Sequence, residues 1–206
     1  MLSNDLYRAL GDIDSIRRQV ANTTEFRGYG PATLAGTAVC AIAAAGVQQF
    51  CLPMPEKHLS GYLAIWLSTA LVAALLTGVQ MYTRARRMHS ALSPEMIRMA
   101  VEQFLPSIVT GLLLTAVLLG TAPKQAWLLP GLWQIIYSLG IFSSCRFLPR
   151  RMLAAGGWYL VTGLACMAFG DYRALSPLAM GVPFGMGQLL IAGVLLFSEE
   201  ETRHEE

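Results

Sequence analysis

The chain has 206 residues, 54% of them apolar and 14% charged, with a formal net charge of +2. So little charge excludes an ordinary soluble domain, where about a quarter of residues are charged, and the near-neutral total excludes nucleic-acid binding by the chain as a whole. The four cysteines form no CxxC pair, so they imply neither a disulfide framework nor a thiolate metal site.

Residues 1–30 read as a separate cytoplasmic segment. Leu6, Leu10, Ile13 and Val20 recur at helical spacing, with Ser3 as N-cap and Asp5 in the first turn. Asp14 and Arg18 stand at i, i+4 in the favourable order. Such a helix either docks a partner or lies on the lipid headgroups, and the arginines flanking its apolar stripe favour the headgroups. Gly28, Gly30 and Pro31 then form a hinge. The apolar run that follows starts too late for a cleaved signal peptide and reads as an uncleaved anchor.

Six stretches free of Asp, Glu, Lys, Arg and His follow, at 31–50, 60–83, 106–123, 125–145, 152–170 and 177–198. Each is long enough to cross a hydrocarbon core of ~30 Å at ~1.5 Å per residue. Lipid offers no partner for backbone N–H and C=O groups, so the stretches must be helices. The expected fold is an all-α polytopic membrane bundle with six transmembrane helices. Residues 31–198 are its transmembrane domain, and 199–206 form a frayed acidic cytoplasmic tail.

The charges orient it. With both termini inside, the cytoplasmic side holds twelve of the fifteen Lys and Arg, leaving only Lys57, Lys124 and Arg173 outside. The positive-inside rule therefore gives N-in and C-in. Arg17, Arg18, Arg84, Arg86, Arg87, Arg150 and Arg151 are candidate contacts for anionic lipid or a partner. The one long loop, 84–103, carries Ser93-Pro94-Glu95 as a helix start and places Met96, Ile97, Ala100 and Phe104 on one face. Leu105-Pro106 marks a kink before the third span. The outer loops are too short for a receptor domain.

Small residues repeat at i+4 as Ala32, Gly36, Cys40 and Ala44, as Ala70, Ala74 and Gly78, and as Gly181 and Gly185. These stripes let helices approach closely, and packing inside one bundle is preferred to a dimer seam, although self-association stays open. Pro130–Gln134 echoes Phe184–Gln188: each follows an outer turn and sets Gly three residues before Gln. This hints at hairpin duplication.

Chemistry is bounded mainly by exclusion. His58, His89 and His204 all fall outside the spans, which argues against a membrane b-type haem, and no span carries a lysine for a retinal Schiff base. Ion-coupled transport usually needs an intramembrane carboxylate, which the spans lack. No cofactor or metal is expected. Gln134 and Gln188 stand out, because each sits in a helix interrupted by Gly or Pro. They either line a pocket for a neutral or lipid-like ligand or bridge helices, and the bridge is preferred. Glu56, Lys57, His58, Lys124, Asp171 and Arg173 read as a solvated rim rather than acid–base machinery.

Asp12–Gln19, Thr24–Thr33, Ser144–Arg150 and Ser176–Leu189 resemble successive blocks of an uncharacterised family of small six-span bacterial inner-membrane proteins. The resemblance runs over most of the chain. It implies six spans in a bacterial inner membrane and carries no assigned activity, cofactor or site residues. The expected function is a non-enzymatic interaction, scaffold or regulatory component that meets membrane lipid and a cytoplasmic or membrane protein partner. The alternative is a carrier or channel for a small neutral or lipophilic compound.

Overall fold

The computed structural model describes residues 30–87, 93–145 and 151–204, with side chains except at 84–101, 103 and 198–204. The amphipathic segment at 1–29, with Arg17 and Arg18, and Arg150 lie outside the described residues, as do the side chains of Arg84, Arg86 and Arg87. Arg151 is exposed.

The described residues are helical, with no strand among them. The helices are α1 (Pro31–Cys51), α2 (Leu59–Arg87), α3 (Ser93–Thr121), α4 (Leu129–Ser144), α5 (Met152–Ala168) and α6 (Pro177–His204). Short 3-10 turns at Pro123–Leu128 and Tyr172–Leu175 lead into α4 and α6. Five segments are long and apolar enough to cross a membrane: Pro31–Cys51, Leu59–Thr83, Phe104–Thr121, Pro123–Ser144 and Pro177–Phe197. Met152–Ala168 is a sixth, shorter apolar helix.

Local sequence explains the ends. Proline opens α1, α4 and α6, where the missing N–H is one the helix would not have used. Asp171 caps the turn before α6 by accepting from the Arg173 N–H at 2.9 Å. Gly170 reaches φ +68° at the end of α5, a left-handed conformation that a side chain would strain. Two ends differ from expectation. α3 runs unbroken from Ser93 through Pro106, so the loop helix and the third span are one element. α6 stays helical as far as His204, into the acidic tail.

The helices form a ring in the spatial order α2, α1, α6, α5, α4, α3. Its tightest seams are α1 on α6 and α4 on α5. At the first, a Cβ added to Gly181 would lie 2.5 Å from the Ala45 Cβ, and one on Gly185 would lie 3.1 Å from Ile42. At the second, a Cβ on Gly131 would lie 2.8 Å from the Gly163 carbonyl, and one on Gly163 would lie 2.9 Å from the Gly131 carbonyl. Backbone meets backbone there, which is how helices associate where lipid removes any hydrophobic advantage.

α2 and α3 are different. Their apolar windows are only 11% and 6% buried, against 50% for α6. The Ala70, Ala74 and Gly78 stripe of α2 faces away from the bundle, and no atom stands within 4 Å of where a Gly78 Cβ would lie. Packing inside the bundle therefore uses the Gly181 and Gly185 pair and leaves this stripe unused.

Candidate site in the bundle interior

The buried polar side chains fall on three levels of the bundle. At the end of α1 that leads into the Leu52–His58 loop, Gln48 is fully buried. Its Nε2 donates to the Leu175 carbonyl at 2.6 Å, and its Oε1 accepts from Trp66 Nε1 at 2.7 Å. One amide thus ties α1 to α2 and to the turn before α6. Nearby, Trp133 Nε1 donates to Thr115 Oγ1 at 2.9 Å, joining α4 to α3.

One level deeper, Gln134 answers a defect in α6. Pro183 has no N–H, so the carbonyl four residues earlier, Ala179, loses its helical partner. Gln134 Nε2 donates to that carbonyl at 2.9 Å. Trp158 Nε1 of α5 donates to the Pro183 carbonyl at 3.0 Å, so two neighbouring helices brace the break. Such re-satisfaction by a neighbour is what lets proline persist within a span.

The third level is a chain. Gln188 Nε2 donates to the Tyr137 hydroxyl oxygen at 2.9 Å. The Thr37 hydroxyl sits 2.8 Å from the Leu34 carbonyl and 3.3 Å from Gln188 Oε1, so its single proton serves the closer acceptor more strongly. The chain joins α6, α4 and α1. Gln134 and Gln188 do not bond to each other; each reaches the helix that carries the other. Around them Tyr137, Tyr159 and Phe184 pack as a mutual triplet with centroids 4.7 to 5.7 Å apart, and Phe104 of α3 adds an edge contact to Tyr137 at 5.3 Å. Gly187 gives the Tyr159 ring its place, since a Cβ there would overlap it.

Three buried polar atoms have no hydrogen-bond partner among the described residues: the Tyr62 and Tyr159 hydroxyls and Gln134 Oε1. The two tyrosines pack on other aromatic rings: Tyr62 stacks on Trp133 at 6.5 Å, and Tyr159 meets Tyr137 edge-on at 4.7 Å. Gln80 makes a fourth tie, accepting the Gly30 N–H at 3.0 Å where α1 begins.

The rim charges lie at the surface. Glu56, Lys57, His58 and Lys124 are exposed, and Asp171 pairs with Arg173 at 2.8 Å in the open. No group of three His, Cys, Asp or Glu close enough to hold a metal occurs among the described residues. Sequence reasoning singled out Gln134 and Gln188 but passed over Gln48. Its only signal was a glutamine near the end of one apolar run with tryptophan early in the next. Family models, curated proteins and solved structures give no match to this chain.

Proposed function

We propose that the protein is a non-enzymatic component of a bacterial inner membrane. In this reading it crosses the membrane six times, with both termini in the cytoplasm, and it contacts a partner protein or anionic lipid through its cytoplasmic face. Met152–Ala168, about 25 Å long at ~1.5 Å per residue, is the sixth span. Membership in the six-span family that the chain resembles belongs to the same proposal.

The observation that supports this best is how the interior amides are used. Gln48, Gln80, Gln134 and Gln188 each bond to another helix, to the turn before α6 or to the residue preceding α1, so polar chemistry in the spans goes into holding the bundle together. Surface chemistry remains for function, and it is concentrated on one side: twelve arginines within the cytoplasmic segments of this topology against two lysines and an arginine opposite.

Recovery of membrane partners with tagged full-length chain and with a variant lacking residues 1–27 tests the role of the first segment. The proposal expects at least one partner whose recovery falls tenfold or more at equal membrane expression. An identical partner profile would remove the docking role of that segment.

A further inference from the structure

α2 turns one face to the bundle and the other outward. Tyr62, Trp66 and Gln80 mark the first: Tyr62 stacks on Trp133 of α4, Trp66 bonds Gln48 of α1, and Gln80 accepts the Gly30 N–H. Steps of three and four residues trace the second through Ser60, Ala64, Ser68, Leu71, Leu75, Val79 and Tyr82, all exposed. Its two halves differ. Ser60, Ala64 and Ser68 are small, and two of them are polar. Leu71, Leu75 and Val79 are large and apolar, and are 61%, 58% and 61% exposed. Leu71 is the middle residue of the Leu59–Thr83 span. From Leu71 to Tyr82 is about 16 Å at ~1.5 Å per residue, half of a ~30 Å hydrocarbon core. The large apolar half is therefore one leaflet deep.

The same register leads to a charge. α2 stays helical past the end of its apolar span, as far as Arg87. Arg86 stands four residues beyond Tyr82 and continues the outward stripe. Arg84 and Arg87 stand four and seven residues beyond Gln80 and continue the inward face. α1 and α2 carry no carboxylate, and the stretch 84–103 holds four arginines against two glutamates, Glu95 and Glu102. This end of α2 is a cationic edge at the foot of an apolar strip.

We infer that this half of the outward face seats an anionic phospholipid, with an acyl chain along Leu71, Leu75 and Val79 and the headgroup phosphate at Arg86. The inference rests on the cytoplasmic-contact reading above and names lipid as the contact. A soluble partner cannot reach Leu71, Leu75 and Val79, which lie within the span, so the occupant that meets both strip and edge is a lipid. A guanidinium takes a phosphate through two N–H groups at once. Tyr82 stands at the level where aromatic side chains meet headgroups. A zwitterionic headgroup brings a cation with its phosphate, so a cationic edge prefers a lipid of net negative charge.

Native mass spectrometry of the full chain in a neutral detergent tests this by titration with dioleoyl phosphatidylglycerol or dioleoyl phosphatidylcholine. The first phosphatidylglycerol should bind about tenfold more tightly than the first phosphatidylcholine. Arg86→Gln should cut that preference about fivefold, and Arg84→Gln and Arg87→Gln less than about twofold each. Leu75→Ser should weaken both lipids alike, because the strip does not read charge. Glycerol phosphate in large excess should leave the lipid bound. Equal binding of the two lipids, equal losses at the three arginines, or displacement by glycerol phosphate would overturn the inference. So would loss of the folded species in Arg86→Gln, since that arginine would then serve the fold. Orientation is read separately, by cysteine labelling in cells: a lost lipid preference with the expected labelling removes this site alone, and reversed labelling removes the cytoplasmic reading.

Discussion

The α4–α5 seam and the α2–α3 pair are made from similar residues and use them in opposite ways. In the seam, Gly131 and Gly163 bring two backbones together. In α2, Gly78 belongs to an i+4 stripe of the same kind, yet its surroundings are empty. Leu71 of α2 and Leu113 of α3 are 61% and 62% exposed, whereas Leu129 of α4 is fully buried. The difference teaches that a small-residue stripe permits close approach but does not choose it. On α2 the stripe points outward, while the Trp66 and Gln80 bonds of the same helix hold its other face to Gln48 of α1 and to Gly30 before it.

Substitutions on the two sides of this contrast rank accordingly. Gly163→Leu forces a side chain into the Gly131 carbonyl, where no flexible atom can yield, and should cost about 3 kcal/mol or more. Thermal melting in detergent should show it as loss of the folded species. Gln48→Leu leaves the Trp66 N–H and the Leu175 carbonyl unpaired and should cost about 2 kcal/mol. Gln134→Leu and Gln188→Leu should each cost about 1 kcal/mol; Gln134→Leu also removes the unpaired Oε1. Gly78→Leu should change stability by less than about 0.5 kcal/mol, because no atom of a neighbouring helix stands within 4 Å of where its Cβ would lie. A loss at Gly78 matching that at Gly163 would erase the contrast and make the α2 stripe an interface.

Much of this architecture is legible in the sequence. Each uncharged stretch corresponds to a helix because charge is what lipid excludes, and Pro31, Pro130 and Pro177 mark starts that local chemistry alone explains. The inner and outer faces of a span are not legible in the same way. Leu71 facing outward and Leu129 facing the bundle are chemically alike, so periodicity gives no sign of which side is buried. The partners of the glutamines are hidden for a related reason. Gln134 points to α6 because Pro183 leaves the Ala179 carbonyl free, a need that exists only once the two helices are side by side. Gln48 is harder still, since its acceptor is the backbone of a turn 127 residues away.

The proposed topology threads the chain through the membrane with its arginine-rich segments and both termini in the cytoplasm, and accessibility in intact cells tests it most directly. In a background lacking Cys40, Cys51, Cys145 and Cys166, single cysteines are placed at Lys124 and at Arg87 and exposed to a membrane-impermeant maleimide. Labelling at 124, with protection at 87 until the cells are lysed, is the result this topology predicts. Labelling at 87 with protection at 124 would reverse the orientation and remove every cytoplasmic role assigned to the arginines.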